Sequence, residues 1–86
     1  MTEPPMIRVR WTDAQGDAHG WTPIAELDDE PCIVTTVGHL VPGRTGHVTV
    51  ALSWHPDEAD QIVVDSVVHI PEGMVVSLEN LVSRPA

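Results

Sequence analysis

The sequence predicts an all-β protein, a five-stranded small antiparallel barrel with a short helical turn after the first strand. Three observations carry this. The apolar residues make up 42% of the chain and are led by Val, while Phe and Tyr are absent, a composition that suits strands. Runs of alternating apolar and polar residues recur along the chain. Clusters of Pro, Gly and Asp separate them, as turns require.

The elements follow in order. Thr2 to Pro5 reads as a disordered leader (residues 1–5), because two consecutive prolines hold the chain extended and remove two donors. Met6 to Trp11 alternates, with Ile7, Val9 and Trp11 on one face and Arg8 and Arg10 on the other. Asp13 to Gly20 is a polar loop. Thr22 and Pro23 then suggest a helix cap and first-turn proline for one or two helical turns within Pro23–Asp28. Acidic residues at the end of that segment oppose the helix dipole and keep it short.

Cys32–Val41 is rich in β-branched residues, Pro42–Gly46 supplies turn chemistry, and His47–Trp54 alternates again, so this stretch predicts a hairpin. In its second arm Val48, Val50, Leu52 and Trp54 share a face. His55–Asp60 is an acidic loop, Gln61–Ile70 a strand apolar on both sides, Pro71-Gly73 a tight step, and Met74–Leu81 the last strand. One domain over residues 6–82, with a frayed tail at 83–86, accounts for all 86 residues. Rolling the strands into a barrel protects edges that an open sheet exposes.

Thirteen acidic side chains face four arginines and no lysine, for a formal net charge of −9. Such a surface repels phosphate backbones and anionic lipid, so neither nonspecific nucleic-acid binding nor membrane attachment is expected. No apolar run approaches the ~20 residues of a membrane span. The lone Cys32 excludes an internal disulfide; it lies in an apolar run and is expected to be a buried thiol in a reducing compartment.

Few residues suggest chemistry. The five histidines show no paired metal-ligand spacing, and the best local group, His55 with Asp57 and Asp60, reads as a solvated loop. Asp65, Ser66 and His69 are the residue types of a nucleophilic triad, but on a strand Ser66 and His69 point to opposite faces. His39 and His47 flank the Pro42–Gly46 turn and read either as two exposed hairpin histidines or as a pair across the hairpin able to sense pH, since the sequence does not fix the register. No catalytic residue, metal or cofactor is expected.

The candidate binding residues are Trp21, Trp54, His55 and Arg44. Trp11 reads as core because it shares a face with Ile7 and Val9. Trp54 ends its strand beside a loop and is shared between core and contact surface. Trp21 precedes the helical turn and is either a lid over a barrel mouth or a stacking platform. Arg44, at a turn tip between Gly43 and Thr45, is the cation best placed to meet a carboxylate or phosphate.

The ordered motifs Val9-Arg10-Trp11, Gly20-Trp21, Thr36-Val37-Gly38-His39-Leu40, Val48-Thr49-Val50-Ala51 and His69-Ile70-Pro71 resemble those of small uncharacterised bacteriophage and prophage proteins. The resemblance spans roughly residues 6–82. It implies an Sm-like or Src-homology-3-like small barrel, a bacterial cytoplasmic setting, and a role in virion assembly or in countering host defence. It carries no activity. The expectation is a non-enzymatic binding module that engages a host protein or a small ligand. Apolar residues on both sides of Gln61–Ile70 add homo-oligomerisation. The alternatives are a nucleotide or signalling-molecule sponge, built from Trp21, Trp54 and Arg44, and a virion structural adaptor.

Overall fold

A computed structural model describes residues 3–14, 20–27 and 30–81. Five strands form one antiparallel sheet: β1 (Met6–Asp13), β2 (Cys32–Val41), β3 (His47–Pro56), β4 (Ile62–Pro71) and β5 (Val75–Leu81), in the order β4-β3-β2-β1-β5. The expected helical turn is a single 3-10 turn, Ile24–Glu26. Its cap differs from the expectation: Pro23 stands at the N-cap, and the Thr22 hydroxyl donates to the Gly20 carbonyl instead.

Strands β4 and β5 are neighbours in sequence yet lie at opposite edges of the sheet, joined only by the 3-10 turn Glu72–Met74. In a flat sheet five strands wide the edges stand about 19 Å apart at the usual strand spacing. Four peptide steps from Pro71 to Val75 reach about 14 Å at most. The sheet must therefore roll, and the turn is pinned under that roll by the Glu72 amide donating to the Gly46 carbonyl at 3.1 Å. No β4–β5 ladder closes it.

Strand β2 turns a corner. It pairs with β1 from Cys32 to His39, but with β3 only where His39, Leu40 and Val41 face Ala51, Val50 and Thr49. The change of partner falls at Gly38. A Cβ there would lie 2.7 Å from Val50 Cγ1 and 2.8 Å from the Ala51 carbonyl oxygen, and the latter is backbone that cannot swing away. Only glycine lets the two strands approach this closely at the bend.

The core sits around this corner. Ile7, Val9, Val50 and Ile70 are buried, with Trp11, Leu40, Val48, Val68 and Val75 packed against them. Trp11 is half-buried, as its shared face with Ile7 and Val9 implies, and its indole N–H donates to Thr36 Oγ1 at 3.0 Å. Thr49 and Ala51 are buried from the opposite face, so the middle of β3 is covered on both sides.

Beyond Ala51 the pattern changes. Strand β3 loses β2 and pairs only with β4, Ser53–Pro56 against Ile62–Asp65, so these segments form a two-stranded arm. Leu52 is thus exposed, whereas Val48 and Val50 pack on the core: the face predicted for all of them is shared with the core only as far as β2 accompanies β3. The end of the arm is tied by Asp57, whose carboxylate accepts from the Ala59 and Gln61 amides. At its base Ser66 has a positive φ of 57°, in the one gap of the β3–β4 ladder.

Cys32 is exposed, not buried. It lies at the outer end of β2, opposite Asp13 and away from the buried cluster of Ile7, Val9, Val50 and Ile70. The expected ends of the chain, residues 1–2 and 83–86, lie outside the described residues, as do Val82, His19 and Asp28. Within the leader, the Pro5 carbonyl accepts from the Leu40 amide at 2.8 Å and prolongs the β1–β2 pairing.

Two outcomes are expected. Gly38→Ala should destabilise the fold by about 1–3 kcal/mol, the usual cost of an overpacked site, read as a lower denaturation midpoint with unchanged slope. The second concerns Arg8 and Glu79, which join β1 to β5 by two parallel hydrogen bonds of 2.9 and 2.8 Å. The hydrogen bond from Arg8, and then its charge, hold Glu79 below the ordinary carboxylate range. A lowered folded pKa stabilises above the unfolded value of about 4.3 and is lost as pH falls through the folded value. Glu79→Gln should thus lower the midpoint slightly at pH 7 and leave it unchanged near pH 2, by thermal melts at both.

Candidate functional site

The four predicted binding residues do not converge. Trp21 is fully exposed beside the 24–26 turn, so it covers nothing and the lid reading is overturned. His55 is exposed on the arm, and its Nδ1 donates to the Pro56 carbonyl at 2.9 Å. Trp54 is half-buried on the arm, opposite Val64. Arg44 stands on the β2–β3 turn and lines a cavity.

That cavity, about 360 Å³, opens where the β2 corner, the leader and the arm meet. Pro4 and Pro5 form one wall, Leu40, Val41 and Pro42 a second, and Ile62 and Val64 of the arm the third. Its polar groups are Glu3, His39 and Arg44. A carbonyl oxygen only accepts, so His39 Nδ1 donates to the Pro4 carbonyl at 3.1 Å. The ring is braced edge-on by Trp54, with centroids 6.1 Å apart. Trp54 therefore reaches the cavity through His39 alone.

Sequence reasoning found Arg44 and missed the rest. The leader prolines read as disorder and Ile62 and Val64 as part of a strand apolar on both sides, and only the bend at Gly38 brings them together. The signal available was the length of Gln61–Ile70, too apolar on both faces for a single small core.

The histidines separate. His39 faces Ala51 across the ladder, whereas His47 lies at the far end of β3 opposite Pro71 and packs edge-on against His69 at 5.2 Å. Of the two readings of these histidines, the His39–His47 pair does not form, because only three residue pairs join β2 to β3. His69 Nδ1 lies 2.9 Å from Thr49 Oγ1. Thr49 is 2% exposed, so substrate cannot reach that hydroxyl.

In the His55–Asp60 loop, Asp57 satisfies backbone amides of its own turn. Among the described residues no three His, Cys, Asp or Glu side chains are grouped to hold a metal ion. Nor is any helix among them long and apolar enough to cross a membrane. No family model, curated protein or solved structure matches the chain.

Proposed function

We propose that this chain is a non-enzymatic binding module that works as a homo-oligomer. The observation that carries the proposal is the set of large apolar side chains left exposed among the described residues, with Leu52, Val63, Val64 and Val67 gathered on the arm and β4.

The occupant of that surface is a second copy. Strand β4 is an edge strand, interrupted at Ser66, whose only charge is Asp65 and which carries no Lys to deter pairing. Such an edge associates unless it is covered. Val63, Val64 and Val67 are exposed along it and Leu52 beside it. The arm also needs support, because two strands alone are marginal in water. Strand β5 offers a poorer surface, being shorter and bearing Glu79 and Asn80.

The strand order and the single 3-10 turn between β4 and β5 support a partly open barrel of the Src-homology-3-like kind. The resemblance to phage and prophage proteins supports a bacterial cytoplasmic setting, with anti-defence or virion roles open to it. The apolar cavity favours a small ligand over a host-protein partner.

Light scattering coupled to gel filtration tests the assembly. The wild type should elute at two or more chain masses at micromolar concentration. Val63→Glu with Val67→Glu should reduce it to one chain mass while the circular dichroism spectrum stays β-rich. A wild type that remains monomeric at several hundred micromolar would sink the proposal.

A further inference from the structure

The cavity at the β2 corner is the one place in the described molecule where an apolar enclosure meets a cation without a partner. We infer that it binds a small apolar carboxylate, an aliphatic or aromatic acid whose tail enters the cavity and whose carboxylate meets Arg44. The inference rests on the reading of the chain as a binding module and names the class of ligand.

Size and lining come first. At about 360 Å³ the cavity falls within the range of roughly 300–1,000 Å³ in which small-molecule sites occur. Three prolines, Leu40, Val41, Ile62 and Val64 build its walls. Prolines and β-branched residues lose little side-chain freedom on contact, so the walls are rigid before a ligand arrives. Their apolar area favours an apolar tail.

Charge selects the head group. Among the described residues the Arg44 side chain forms neither an ion pair nor a hydrogen bond. Arg44 is exposed on the cavity lining, and a neutral ligand offers its guanidinium no charged acceptor. A carboxylate compensates it with two parallel hydrogen bonds. His39 adds no second cation while it is neutral: with Nδ1 donating to Pro4, its Nε2 is an acceptor. Multiply charged ligands fare worse. One arginine, Glu3 on the cavity wall and a net charge of −9 oppose a nucleotide's two or more negative charges.

The probe is sodium octanoate, titrated into the full isotope-labelled chain and followed by amide chemical shifts, with octanol and octylammonium as matched neutral and cationic controls. Octanoate should saturate, with shifts concentrated at residues 3–5, 39–44 and 62–64, and should bind at least tenfold more tightly than either control. Arg44→Gln, at an exposed turn, should weaken octanoate at least tenfold and leave octanol unchanged. Raising the salt on the wild type should weaken octanoate alone, which keeps the test decisive should the variant misfold. Equal binding of octanoate and octanol, an unaffected Arg44→Gln, or diffuse shifts without saturation would each overturn the inference. Because one chain builds the whole cavity, light scattering on the same samples separates the two readings. A monomer that binds octanoate refutes assembly alone, and an oligomer that ignores it refutes the site alone.

Discussion

The close approach of β2 and β3 at Gly38 is the constraint from which the rest of the molecule follows. Removing one side chain lets the two backbones meet at a distance that a Cβ would forbid. Strand β2 can then leave β1 and take up β3 within a single residue. The bend turns one sheet into two short ladders that share a corner, and the buried residues Ile7, Val50 and Ile70 gather at that corner. A straight β2 would carry β3 along its full length. It would also flatten the sheet beyond the reach of the three-residue step between β4 and β5.

The bend has a cost, which explains the surface. Because β2 accompanies β3 for only three residue pairs, the outer halves of β3 and β4 are left as an arm with one partner each. Side chains that a longer β2 would cover, Leu52 and Val63 among them, stand in solvent instead. The same departure opens the cavity, since the arm's Ile62 and Val64 face the leader and the end of β2 across a gap that no side chain fills. Exposed arm and enclosed cavity are two results of one geometry.

Much of the fold was legible because it is local. Alternation gave Ile7, Val9 and Trp11 a common face, and Pro42–Gly46 and Pro71–Gly73 marked turns, since both patterns depend on near neighbours in the chain. The errors share a different origin. Cys32 read as buried because its neighbours are apolar, but burial depends on distance from the core, and Cys32 stands at the far end of β2 from it. Leu52 has the right parity for the core and is exposed because β2 has already departed. His39 and His47 flank one turn yet separate, because register is a tertiary property. Arg44 was found at its turn tip, close in sequence to Leu40, Val41 and Pro42, while the other walls of the cavity come from Pro4 and Pro5 of the leader and Ile62 and Val64 of the arm, a juxtaposition no local pattern encodes.

Charge completes the argument for what is exposed and what is kept apart. With thirteen acidic residues against four arginines, like-charge repulsion opposes any contact between copies. Self-association is favoured only where carboxylates are excluded from the contact. The sequence makes that separation: β2 bears no charge and β4 only Asp65, while Asp57, Glu58 and Asp60 are confined to the loop at the arm's end. The one charged cross-strand pair, Arg8 with Glu79, lies at the opposite edge and is self-neutralised. The acidic surface thus acts by position. It opposes contact over most of the molecule and is weakest along the β4 edge, where Asp65 is the only charge.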